Sequence, residues 1–182
     1  LRGWFEVHAR PGIDAIINPM SGDITVRTAT ERDFERVSEL YDAVDTQHAK
    51  ALPHLFRRPA TPGRSSQFLG EMIDRDSSTL LVAERNGEII GLTEAWIQST
   101  GPLPMLVPRH FGAIATVVVR PDVQGGGVGR KLVSAAEQWA TARGACEVEI
   151  MVYEFNADAI AFYERLGYAT VFRRMSRSLS DN

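Results

Sequence analysis

The chain of 182 residues contains a single cysteine, so no disulfide forms within it. That thiol, Cys146, falls in a stretch of strand-like composition, where a free cysteine is expected as a small buried apolar group. No run approaches the ~20 apolar residues that a membrane span requires. The first residues hold no long apolar stretch either, which argues against a secretory signal, and a cytoplasmic protein is the expectation. Charge of one sign is not in excess. The formal net charge of −3 argues against nucleic acid as the main partner. There is no internal repeat and no low-complexity segment. What remains is 44% hydrophobic and 24% charged, an ordinary globular balance, in a length that suits one domain with a core of its own.

Two breakers, Pro11-Gly12 and Asn18-Pro19, make residues 1–22 irregular, and they are read as an N-terminal extension or tag. The domain is expected over 23–182. Ile24–Arg27 reads as a strand. Thr30, with Asp33 three residues on, starts a helix that carries Phe34, Val37, Leu40, Tyr41 and Val44 at helical spacing, to about His48. A second helix is expected over 64–75. Thr79–Glu84 and Glu88–Gln98 are strands joined by the hairpin signal Asn86-Gly87. A Pro-rich loop over 101–108 leads to Ala113–Val119, an apolar β-branched strand expected to be buried on both faces. A helix follows with Val128, Leu132, Ala135, Trp139 and Ala142 as its apolar stripe, closed by Gly144. Glu147–Tyr153 reads as a strand. Asn156 caps a last helix that ends at Gly167, and Tyr168–Leu179 reads as a final strand. The order βαα-ββ-β-α-β-α-β makes a mixed α/β protein.

The segment Arg120–Leu132, RPDVQGGGVGRKL, places glycines between a strand and a helix start. The first turn of a helix has unpaired N–H groups and a partial positive charge, and glycine lets an anion approach them. A nucleotide P-loop requires Gly-Lys-Ser/Thr, but Gly129 is followed by Arg130-Lys131-Leu132. The dinucleotide pattern G-x-G-x-x-G/A also fails, because Val128, Arg130 or Leu132 takes its last position. The pattern Q/R-x-x-G-x-G/A fits, from Gln124 through Gly125, Gly126, Gly127 and Val128 to Gly129.

This loop resembles the acetyl-CoA pyrophosphate loop of the GNAT superfamily of N-acetyltransferases. Val117-Val118-Val119-Arg120-Pro121 resembles the end of that family's strand four. Asn156 to Tyr168 is similar to its last helix, N-x-x-A-x-x-F/Y-Y-x-x-x-G-F/Y, and Ile24–Thr30 with Asp33 to its start. The likeness covers about residues 23–179. It implies an α/β (α+β) GNAT fold: a mixed, mostly antiparallel sheet, splayed between strands four and five and flanked by helices. It implies acetyl transfer from acetyl-CoA, as cosubstrate, to a primary amine of a small molecule or peptide, with no metal, nucleic acid or membrane partner and a homodimer left open. Carried over residue by residue, main-chain groups of Val117, Val118 and Val119 take the pantetheine arm. Gln124, Gly125, Gly126, Gly127, Val128, Gly129 and Arg130 take the pyrophosphate, Arg130 and Lys131 adding charge. Asn156 caps its helix and reaches the arm, and Tyr163 is the donor to the leaving thiolate.

A charged amine must lose a proton before it attacks. The family often has an acid or a histidine on strand four; Ala113–Val119 has neither. Glu94 is nominated as the base. Strand alternation puts it on one face with Ile90, Leu92, Trp96 and Gln98, where an unpaired carboxylate would be costly. His110, just before strand four, is the rival, and His48 and His54 are candidates for the acceptor side. Besides an enzyme, a non-catalytic acyl-CoA-binding regulatory module and a nucleotide-binding protein remain as readings. Only fifteen residues follow Gly167, fewer than the family's usual final hairpin takes.

Overall fold

The computed structural model of the chain describes residues 23–58, 63–101 and 103–179. The expected extension over 1–22 lies outside them. Among the described residues five strands form one sheet in the order β1 (Thr25–Thr28), β2 (Ser78–Arg85), β3 (Glu88–Ser99), β4 (His110–Val119) and β5 (Val148–Ile150). The first three pairings are antiparallel and β4–β5 is parallel. α1 (Phe34–Ala51) and α2 (Ser66–Asp74) pack on one face; α3 (Val128–Thr141) and α4 (Ala157–Arg165) belong to the other. The arrangement is the mixed, mostly antiparallel α/β sheet flanked by helices that the resemblance implied.

Local signals explain most of the boundaries. Thr30 donates from both its backbone N–H and its hydroxyl to the Asp33 carboxylate, at 2.8 and 3.1 Å, ahead of α1. Arg27 clasps the same carboxylate at 2.7 and 2.9 Å, which ties β1 to the start of the helix and holds that carboxyl down at about 2. Asn86 and Gly87 have φ of 53° and 80°, as a tight hairpin turn requires. Val37, Leu40 and Tyr41 of α1, Leu69 and Met72 of α2, and Leu80, Val82, Leu92 and Val118 from the sheet make one core layer. Leu81, Ala95, Ile114, Val133 and Ala136 centre the other.

Several sequence readings change. α3 buries Val128, Leu132, Val133, Ala136 and Ala140; Ala135 and Trp139 are half-buried at its flank and Ala142 is exposed. A bulge at Ala83/Glu84 shifts the register against β3, so Ile90 joins the α3 side while Leu92 faces α1. Cys146 is exposed, because it precedes β5 rather than lying in it. β4 starts at His110 but is only half-buried from Ala115 to Val117 and at Val119, because β5 accompanies only its first half. Tyr168–Leu179 forms no strand; Val171, Phe172, Met175 and Leu179 are all exposed.

Candidate active site

β4 and β5 stay together from Gly112↔Val148 to Ile114↔Ile150, then part. β5 ends there, and residues 151–156 lead away to α4. A bulge at Ala115, where Glu94 pairs with Thr116 and Ala95 with Ile114, resets β4 at the parting point. The Arg120 N–H donates to Ile90 on β3, and Thr93 bonds the Thr116 carbonyl. Alternation therefore turns the N–H and C=O groups of Val117 and Val119 away from β3, into the gap, while Val118 pairs with β3. Gln124 donates its amide to the Val119 carbonyl at 3.1 Å and so folds the glycine loop back on the end of β4.

In that loop Gly125 and Gly127 have φ of 79° and 81°, and a Cβ on either would meet nothing within 4 Å. The backbone is left-handed over open space, which is a cradle that side chains would fill. The Lys131 N–H makes its helical bond to Gly127, so the N–H groups of Val128, Gly129 and Arg130 precede the helical ladder and serve as first-turn donors. Val128 is buried and anchors the turn; Arg130 is exposed. Lys131 differs from expectation: its ammonium donates to the Ile24 carbonyl at 2.8 Å and ties α3 to β1. Gly129 has a packing role as well, since a Cβ there would lie 3.2 Å from Phe162.

Sequence reading missed Arg85. It ends β2, only 9% exposed, with Nη2 3.7 Å from the Cβ position of Gly126. Its charge reaches the loop. Asp122 is held below the usual carboxylate range chiefly by Arg120, with Arg85 contributing. The signal was a basic residue closing an apolar strand beside a tight turn, but only the sheet register brings that turn to the end of β4.

Glu94 is buried at the parting of the strands, on the α1 side. It is not unpaired: Tyr41 donates to one carboxylate oxygen at 2.6 Å and Thr116 to the other at 2.7 Å. Burial and the adjacent carboxylate push the Tyr41 phenol far up, so it stays a donor. The Arg64 guanidinium stacks 4.3 Å from the Tyr41 ring centroid and pairs with Asp45. His110 stands six residues back along β4 from Thr116, roughly 20 Å by strand rise. Its ring is engaged by Ser99 and by the Arg143 carbonyl, so the rival candidate is remote from the gap. His48 packs against Phe56, Tyr153 and Phe155, whereas His54 is exposed.

Tyr163 lies on α4 with the cluster on the α3 side, against Phe162 and Tyr168 at 5.2 and 6.0 Å between ring centroids. Burial pushes its phenol up to about 12, so it is protonated at neutral pH. Asn156 accepts from the Ala159 N–H at 3.3 Å, the helix-capping bond.

The sequence profile described as "Acetyltransferase (GNAT) family" matches residues 28–168. A Pectobacterium atrosepticum protein named Acetyltransferase ECA0875 is 30% identical over 146 residues, 80% of this chain and 88% of its own. A mutant of the BH1408 protein of Bacillus halodurans superimposes with a TM-score of 0.81 at 28% identity, over 86% of this chain and 99% of that one. The aminoglycoside N-acetyltransferase AAC(6')-Iy, solved in complex with CoA, shares the fold with a TM-score of 0.68 at 17% identity, over 89% and 99%. The chain belongs to the GNAT acetyltransferase family.

Proposed function

We propose that the protein transfers an acetyl group from acetyl-CoA to a primary amine of a small molecule or peptide, by direct attack within a ternary complex. The observation that carries this reading is the opened sheet. Beside β4, main-chain groups of Val117 and Val119 face a gap that ends at the glycine loop and the first turn of α3. Such a gap suits an extended, amide-bearing arm that ends in a pyrophosphate. Gln124 to Arg130 take the phosphates, Arg85 supplies fixed positive charge beneath them, and Asn156 meets the arm at the start of α4.

The amine nitrogen attacks the thioester carbonyl carbon, the C–N bond forms, the C–S bond breaks, and the electron pair leaves on sulfur. A β4 backbone N–H stabilises the transient oxyanion. Tyr163 donates to the sulfur. With its phenol near 12 and a thiol near ~8.5, full proton transfer runs uphill, so it acts mainly by hydrogen bonding while the thiolate forms. The ammonium loses two protons in all: one leaves before attack, by way of Glu94 to solvent, and one leaves the nitrogen after the C–N bond has formed and is taken up by the thiolate, so protons balance. Glu94, with lone pairs beyond the two already bonded, accepts the proton from the amine.

Thiol release from acetyl-CoA, measured across a panel of amines, aminoglycosides and peptides, tests the reaction. Tight acetyl-CoA binding without release for any acceptor would make the protein an acyl-CoA-binding module instead. The base is tested by its pH–rate profile. Glu94→Gln is expected to abolish the limb on which rate falls as pH drops, and to slow transfer roughly 10²-fold. Tyr41→Phe and Thr116→Val keep the carboxylate and delete one donor each, so they are expected to retain the limb. A Glu94→Gln profile that matches the parent would leave Glu94 as an anchor between α1 and the sheet.

A further inference from the structure

Where residues 151–156 diverge from β4, they meet the end of α1 and the loop after it. His48 on α1, Phe56 on the loop, and Tyr153 and Phe155 beyond β5 pack into one group, mostly edge to face, with ring centroids 5.0 to 6.1 Å apart. None of the four is buried, and Tyr153 keeps 43% of its surface exposed. The loop is basic. From Thr46 to Gly70 the sequence has no Asp or Glu, whereas Arg57 and Arg58 follow Phe56 directly. Both arginines are exposed, and among the described residues neither makes an ion pair. The nearest acids along the chain are engaged: Asp45 by Arg64 and Glu154 by Arg173.

We infer that this aromatic and basic lip selects an acceptor amine with a flat apolar body and an anionic group, and rejects polycations. The inference rests on the acetyl-transfer reading for the reaction, but its own content is a binding preference. Exposed rings offer apolar faces for a planar body. An arginine pair matches a carboxylate or phosphate through bidentate hydrogen bonds. The same positive field repels an aminoglycoside, whose several ammonium groups call for carboxylates that this loop lacks.

The test uses three amines on the full chain with CoA bound: 4-(2-aminoethyl)benzoate, phenethylamine and kanamycin. Binding is read by calorimetry and transfer by thiol release from acetyl-CoA. The benzoate is expected to bind at least roughly tenfold more tightly than either other amine, an effect typical of a charge-assisted pair. Arg57→Ala/Arg58→Ala is expected to erase that advantage and to leave phenethylamine affinity within about twofold, because both side chains are exposed. Phe56→Leu with Tyr153→Leu is expected to weaken both aromatic amines. Kanamycin binding as tightly as the benzoate overturns the inference, as does absence of binding by all three. Equal losses for benzoate and phenethylamine in the arginine variant overturn it too. Benzoate binding in the expected pattern, with no thiol release for any amine, aminoglycoside or peptide of the panel, upholds the inference and removes the enzyme reading; transfer to kanamycin alone does the reverse.

Discussion

Tyr163→Phe is expected to lower turnover by roughly 10²–10³-fold, the value of one hydrogen-bond donor to developing charge, while acetyl-CoA affinity changes by less than about twofold. The ring is held by Phe162, Tyr168 and the α3-side core, and phenylalanine keeps all of that packing. The phenol oxygen makes no hydrogen bond to any described residue, so its removal orphans nothing within the fold. The loss should therefore fall on the step in which sulfur takes up charge. Single-turnover measurements separate that step from product release, and an acetyl thioester of a more acidic thiol should narrow the gap between mutant and parent. Parental turnover with chemistry rate-limiting would return Tyr163 to a packing role alone.

Gly125→Ala/Gly127→Ala is expected to weaken acetyl-CoA binding roughly 10²-fold, the value of one or two charge-assisted hydrogen bonds. Both positions lie near φ +80°, where each added Cβ costs about 1–2 kcal/mol. A loop that relaxes toward negative φ turns its N–H groups off the anion. Since a Cβ at either position meets nothing within 4 Å, the core should survive, and the melting temperature should fall by no more than the backbone strain implies, roughly 4–16 °C. A β-branched residue at Gly127 is a poorer probe, because backbone strain would be added to blocked space. The decisive control is an acetyl-pantetheine fragment without pyrophosphate. Its affinity should be the same for parent and variant. Calorimetry that finds equal losses for both ligands would move the phosphates away from this loop.

Local features of this fold were legible in the sequence. The Thr30–Asp33 start, the Asn86-Gly87 turn, the glycine loop and the Asn156 cap each depend on residues within a few positions of one another. Contacts that close the site join distant segments. Tyr41 reaches Glu94 across 53 residues, and Arg85 reaches Gly126 through a strand register that no local pattern encodes. The alternation that buries Glu94 calls for a partner, yet nothing local in the sequence selects Tyr41 and Thr116 for that role. Tyr168–Leu179 has the residue types of a strand, but strand formation depends on pairing, and this segment pairs with none of the described strands. The bulges at Ala83/Glu84 and Glu94/Ala95 also escaped period-two reasoning, and each changes which face a side chain joins.

The parting of β4 from β5 has a kinetic signature in heavy water. Thr116 and Val118 hold their N–H groups against β3, whereas those of Val117 and Val119 open on the gap. Without ligand, deuterium should enter the second pair quickly and the first slowly, although all four share one strand. A bound coenzyme arm should protect Val117 and Val119 and leave their neighbours almost unchanged. General tightening of the fold would slow all four together, so the alternation itself distinguishes a filled gap from a stiffer sheet.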